Sequence, residues 1–316
     1  VGGIIASPPA FKDKLIMQTE KFNGVFPPVP TIVNAQGELD KKGMATLLDH
    51  LIANKVNGVL LLGSGGEFCH MTKEQRLEAA EFCVQHINHR IPVLLGISST
   101  CTQDVIDYGR HADSLEVDAV LVLNPYYARL TDDYIYHHFK TVAESIKTPV
   151  ILYNFPALTG QDLSIDLITR LAHDIPNIIG IKDTVDNISH IREIINTVRP
   201  VRPDFVIFSG YDEYMMDTLI MGGNGGIPAT ANFAPQLTCG IYRAWCEKEY
   251  ETLFRLQRRL SALSTIYSLD SPFFGIIKKA IQLSGIDIPV EVMPPVQPAS
   301  EAHIASLKKV LQRAGL

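Results

Sequence analysis

The feature that most constrains this chain is an alternation. From Asn23 onward, short apolar runs rich in β-branched residues are separated by stretches with the spacing of amphipathic helices. Eight runs are evident: Val25–Val33, Gly58–Leu62, Pro92–Gly96, Ala119–Asn124, Pro149–Pro156, Ile178–Asp183, Phe205–Gly210 and Gly225–Thr230. Most are nearly continuous in apolar residues, as strands covered on both faces must be. Between them lie helical candidates at Lys41–Asn54, Lys73–His86, Thr102–Leu115, Asp132–Ile146, Ser164–His173, Ile188–Val198 and Tyr211–Met221. Thr72 before Glu74, and Thr131 before Asp132 and Asp133, are typical helix starts, because a hydroxyl caps free N–H groups and acids suit the positive end of the helix dipole. The pattern predicts a parallel sheet with crossover helices. The first run is the least regular, since Pro27, Pro28 and Pro30 have no N–H to give a ladder.

After the eighth run only helical stretches follow: Pro235–Leu269, Pro272–Gly285 and Glu301–Arg313. Eight β/α units and a helical C-terminal appendix point to an α/β fold of the (β/α)8 barrel type. The 316 residues accommodate such a barrel, typically about 250 residues, as readily as two domains of roughly 150. An open doubly wound sheet competes, but its dinucleotide-binding form needs GxGxxG after the first strand, and none follows Val25–Val33. The expected division is an N-terminal stretch, 1–16, that is an expression remnant or a disordered extension; the barrel over 17–234; and the helical region over 235–316. Against 34 Asp and Glu stand 28 Lys and Arg with no basic run, which disfavours nucleic acid as a partner. Apolar stretches such as Val56–Leu62 and Val117–Leu123 are far short of the roughly 20 residues that span a bilayer. The five cysteines, Cys69, Cys83, Cys101, Cys239 and Cys246, have no CxxC spacing and read as reduced thiols of a cytoplasmic protein.

In a barrel the reactive groups sit at the C-terminal ends of the strands, so the polar residues ending each run are the candidates. Lys182 interrupts the apolar run Ile178-Ile179-Gly180-Ile181, where burying an ammonium is costly unless it is paired. A neutral amine in such surroundings adds to ketones; the alternatives are an ion pair with Asp183 or a side chain projecting past the strand. Tyr153 ends the preceding strand, where a phenol can shuttle protons or simply pack. Gly63-Ser64-Gly65-Gly66 is a turn that can offer backbone N–H groups to a carboxylate or phosphate, or a tight turn that needs glycine. It lacks the Gly-Lys-Ser/Thr ending of a P-loop. The glycine-rich stretch 221–226 reads as a turn into strand eight. His137 and His138 are expected to be exposed on an outer helix, and Trp245 to pack in the appendix. With no HExxH and no histidine pair at a strand end, neither metal nor organic cofactor is expected.

Four segments in this order carry a resemblance: Gly63-Ser64-Gly65-Gly66-Glu67, Asn124-Pro125-Tyr126-Tyr127, Tyr153-Asn154-Phe155-Pro156-Ala157-Leu158-Thr159-Gly160 and Gly180-Ile181-Lys182-Asp183-Thr184. Over essentially 22–316 the chain resembles the class I pyruvate-dependent aldolases and lyases, the family of dihydrodipicolinate synthase, N-acetylneuraminate lyase and 2-keto-3-deoxygluconate aldolase. The resemblance implies Lys182 as the Schiff-base lysine, Tyr153 as proton relay, and Ser64 and Gly65 as the pair whose N–H groups hold the pyruvate carboxylate. The Ser64 hydroxyl would join the relay; Gly65 lacks the second hydroxyl the family often carries. It further implies that Tyr127 enters a neighbouring subunit's site within a homotetramer, and that the Ile227 carbonyl lies near the lysine.

Leu158 stands where the synthase has the arginine that binds the aldehyde substrate's carboxylate, which disfavours that activity. Gly210-Tyr211-Asp212-Glu213 is similar to the segment of neuraminate lyase that contacts substrate hydroxyls, while Ala229 replaces a serine of that enzyme. The other segments look closest to bacterial 2-keto-3-deoxy sugar acid aldolases, with Thr184, Asp212 and Glu213 contacting the sugar acid. The expected activity is therefore reversible cleavage of a 2-keto-3-deoxy sugar acid to pyruvate and a small hydroxy-aldehyde. The alternatives are a dehydratase using the same imine, neuraminate lyase or synthase activity, or a pyruvate-binding paralogue without catalysis.

Overall fold

The computed structural model describes residues 19–316, so the expectation for 1–16 lies outside the described residues. Eight parallel strands are hydrogen-bonded in the order β1-β8-β7-β6-β5-β4-β3-β2. They are β1 (Gly24–Val25), β2 (Val59–Leu61), β3 (Val93–Gly96), β4 (Ala119–Leu123), β5 (Val150–Asn154), β6 (Ile178–Asp183), β7 (Val206–Ser209) and β8 (Gly225–Gly226). Every strand residue is buried, the consequence of a barrel lumen on one side and a helical ring on the other.

Two strands are much shorter than their apolar runs. In the first run the prolines cannot donate, so regular pairing stops at Val25. The ring is closed by what the prolines leave intact: Leu60 N–H donates to the Pro27 carbonyl (2.9 Å) and Val29 N–H to the Leu60 carbonyl (2.8 Å). The eighth run pairs only over Gly225–Gly226 and then winds into a 3-10 turn at Ala229–Asn232. Gly225 has φ +146°, and a Cβ there would lie 2.1 Å from the Gly24 carbonyl oxygen, so the closest approach of β8 to β1 requires glycine.

The ring helices are α1 (Lys41–Ala53), α2 (Lys73–Ile87), α3 (Thr102–Leu115), α4 (Asp132–Ser145), α5 (Ile165–Asp174), α6 (Ile188–Val198) and α7 (Met215–Ile220). Their starts follow the capping chemistry: Thr72 caps α2, with Gln75 closing the reciprocal pair, and Thr131 caps α4. One expectation fails on α4: His137 is exposed, but His138 is buried, with Nδ1 2.9 Å from Thr102 Oγ1. Adjacent helical positions point about 100° apart, so only one of the pair can face solvent here.

Beyond the barrel come α8 (Pro235–Glu247), α9 (Tyr250–Ser261), a 3-10 turn at Ser264–Ser268, α10 (Phe274–Leu283) and α11 (Glu301–Arg313). Trp245 is half-buried on α8. This region is tied to the strand ends by polar contacts. Gln257 donates to the Glu213 carbonyl (2.7 Å), and Lys278 of α10 meets Glu67 after β2 at 2.5 Å, both side chains having no exposure. Among the described residues no helix is long and apolar enough to cross a membrane.

Candidate active site

The register of β5 and β6 sets Tyr153 directly opposite Lys182 and Asn154 opposite Asp183. Because side chains alternate along a strand, the two rungs face opposite ways. On one face, Lys182 Nζ donates to Tyr153 Oη at 3.1 Å and lies 4.2 Å from the ring centroid. The Ser64 hydroxyl reaches the same phenolic oxygen at 3.3 Å. Lys182, Tyr153 and Ser64 are all buried.

On the other rung, Asn154 Nδ2 donates to Asp183 Oδ1 (2.8 Å) and Asp162 Oδ1 (2.7 Å), and Asp183 Oδ2 lies 3.0 Å from His190 Nδ1. The ion pair of Lys182 with Asp183 is therefore not the arrangement adopted: the carboxylate is occupied by Asn154 and His190. Burial works to lower the His190 pKa, but the hydrogen bond and charge of Asp183 and the charge of Asp162 outweigh it and hold the pKa above the ordinary value.

The turn after β2 winds into a single 3-10 turn over Ser64–Gly66. Gly66 and Glu67 N–H groups bond back to the Gly63 and Ser64 carbonyls, whereas the first N–H groups of such a turn have no partner within it. Glu67 has left-handed backbone (φ 61°) and is anchored through its carboxylate to Lys278 and to the Met293 N–H (2.7 Å).

Ser64, Gly65, Tyr153, Lys182, Thr184, Asp212 and Ile227 line one cavity of about 190 Å³. Asp212 is almost fully buried and already accepts the N–H groups of Ala229 (3.1 Å) and Thr230 (2.9 Å) and the Tyr267 hydroxyl (2.6 Å). Burial raises its carboxyl pKa, with these donors working against the rise. Three expected site residues lie elsewhere. Leu158 borders a larger cleft of about 740 Å³ that also touches Ser64. Glu213 is outside the cavity wall, burial raising its pKa. Tyr127 stands fully exposed at 101%, with left-handed φ of 81°, and lines neither of these two cavities.

Sequence reasoning missed Tyr211, Tyr267 and Phe273, which line the same cavity. Tyr211, the second residue past β7, was legible within the Gly210-Tyr211-Asp212-Glu213 segment. Tyr267 and Phe273 come from the helical region and carry no strand-end signal. Among the described residues no group of three or more His, Cys, Asp or Glu side chains is arranged to hold a metal ion.

An amine and a phenol in contact at adjacent strand ends, beside a 3-10 turn whose first N–H groups are not used within it, define a barrel enzyme of the aldolase and lyase class. The sequence profile of the dihydrodipicolinate synthetase family matches residues 21–314, and the chain belongs to that family. It is 42% identical over 299 residues to Escherichia coli (strain K12) YagE, provisionally named a 2-dehydro-3-deoxy-D-gluconate aldolase, covering 95% of this chain and 99% of YagE. It is 43% identical over 297 residues to YjhH of the same strain, provisionally named a 2-dehydro-3-deoxy-D-pentonate aldolase, covering 94% and 99%. The crystal structure of YagE in complex with pyruvate superposes with a TM-score of 0.92, covering 93% of this chain and 99% of that one.

Proposed function

We propose that this chain is a Schiff-base aldolase that reversibly cleaves a 2-keto-3-deoxy sugar acid to pyruvate and a hydroxy-aldehyde. The observation that carries the reading is the contact chain Lys182–Tyr153–Ser64 inside a buried cavity. The resemblance to YagE and YjhH supports the substrate class.

In this reading the Ser64 and Gly65 N–H groups hold the carboxylate and aim the C2 ketone at Lys182. The amine adds to C2, Tyr153 delivers the proton that lets water leave, and the iminium becomes an electron sink. Tyr153, coupled to Ser64, takes the C4 hydroxyl proton; the C3–C4 bond breaks, the aldehyde departs, and an enamine remains. Protonation at C3 and hydrolysis return Lys182 and pyruvate. With Leu158 in place of an arginine, no guanidinium stands at that position to clamp a second carboxylate on the aldehyde, which favours neutral polyol aldehydes. The exposed, left-handed Tyr127 supports an assembly in which it completes a neighbouring copy's relay, in a homotetramer. The five unpaired cysteines support a cytoplasmic setting.

Borohydride treatment in the presence of pyruvate is expected to leave a reduced adduct on Lys182 and none in Lys182→Ala. Pyruvate should be released from 2-keto-3-deoxy-gluconate. An unmodified lysine rules out the imine; consumption of the sugar acid without pyruvate release would make the enzyme a dehydratase instead.

A further inference from the structure

The carboxylate expected to meet the sugar hydroxyls is largely committed to donors of the protein itself. A carboxylate offers about four lone-pair positions, and three at Asp212 accept Ala229 N–H, Thr230 N–H and the Tyr267 hydroxyl, in a residue only 3% exposed. The Tyr267 contact, at 2.6 Å, commits the single phenolic proton to Asp212. A phenol whose proton is committed can still accept through its oxygen but has nothing left to donate. Tyr267 lines the cavity together with Thr184, whose buried Oγ1 has no hydrogen-bond partner. Room for that hydroxyl depends on Gly210, where a Cβ would lie 1.9 Å from Thr184 Oγ1.

We propose that Tyr267, oriented by Asp212 and acting only as an acceptor, is the specificity-determining residue that reads a hydroxyl of the aldehyde half. Thr184 provides the adaptable donor and acceptor beside it, and Asp212 is a positioning residue. The inference rests on the aldolase reading above and refines it: the selected hydroxyl must donate. The helical C-terminal region then supplies substrate selection, and the barrel strands supply the imine chemistry.

The test is Tyr267→Phe, which removes the oxygen and keeps the ring. Two substrates are compared: 2-keto-3-deoxy-gluconate, and 4-hydroxy-2-oxopentanoate, which keeps the C4 hydroxyl but has none beyond it. The variant should lose about tenfold in kcat/KM on the sugar acid, mainly through KM, the scale of one neutral hydrogen bond. Turnover of the short substrate and borohydride trapping of pyruvate should stay within twofold. In the wild type, a sugar acid bearing fluorine in place of the selected hydroxyl should bind as poorly as one bearing hydrogen there, because fluorine cannot donate. Equal losses on both substrates would mean a structural role, and unchanged discrimination or a well-bound fluoro compound would overturn the assignment. If pyruvate is not trapped on wild-type Lys182, the aldolase reading itself fails and this inference falls with it; trapping with unchanged discrimination removes the inference alone.

Discussion

Replacing Lys278 by methionine isolates the link between the C-terminal helices and the turn that carries Ser64. Both Glu67 and Lys278 have no solvent exposure, their charged atoms are 2.5 Å apart, and Lys278 Nζ also donates to the Glu291 carbonyl at 2.6 Å. Burial pulls the Lys278 pKa below its ordinary value, with Glu67 pulling it back up. Lys278→Met leaves the Glu67 carboxylate buried with the Met293 N–H as its remaining donor. An uncompensated buried charge costs about 3–5 kcal/mol, a large part of the 5–15 kcal/mol typical of a folded domain. The double variant Glu67→Gln/Lys278→Met removes both charges while the glutamine oxygen can still accept from Met293. Its stability should return to within about 1–2 kcal/mol of wild type, since neutral replacement of a buried pair is often nearly neutral. Urea unfolding of the wild type, both single variants and the double variant gives the coupling energy directly. Because Glu67 follows the Ser64–Gly66 turn, trapping of pyruvate on Lys182 should weaken in Lys278→Met and recover in the double variant. A single variant within about 1 kcal/mol of wild type, or a double variant less stable than either single, would refute the claim that the pair is buried and mutually compensating.

Three further outcomes are expected. Tyr153→Phe should fold normally and lower kcat by roughly 100-fold or more, the scale of a lost acid–base group, with the rate of pyruvate trapping falling alongside; steady-state and single-turnover kinetics check this. Burial lowers the His138 pKa to about 4, so its contribution to stability is present above its unfolded pKa near 6.5 and is lost as pH falls through the folded value. The loss between those pH values is about 3 kcal/mol, and His138→Gln should remove most of it in acid unfolding curves. His190 has the opposite sign: its raised pKa gives stability that is full below the unfolded value and fades as pH rises through the folded one. The stability gap between wild type and His190→Gln should therefore shrink as pH rises above the unfolded histidine value of about 6.5; a gap that widens would refute the Asp183–His190 pairing.

The eight runs and their punctuation were legible because a strand buried on both faces leaves a continuous apolar signature. Where a run contained prolines the signature overstated the strand, since hydrophobicity persists after donors are lost, as at Pro27 and Pro28. Lys182 and Tyr153 could be paired from the chain alone because consecutive strands of a barrel are neighbours and both residues end their strands. Which helical histidine faces inward was not legible, because it depends on helix rotation against neighbours.

Local patterning by itself therefore determined the architecture and the amine–phenol pair, since both follow from strand period and strand order. Tertiary structure alone decided what the C-terminal helical region brings to the site. Tyr267 meets Asp212 across 55 positions of chain, and Glu67 meets Met293 across 226. No spacing rule encodes such meetings, because they depend on where the C-terminal helices pack against the barrel. The same packing ties the Asp212 carboxylate to Ala229, Thr230 and Tyr267, a set of contacts that the chain read as a sequence does not disclose.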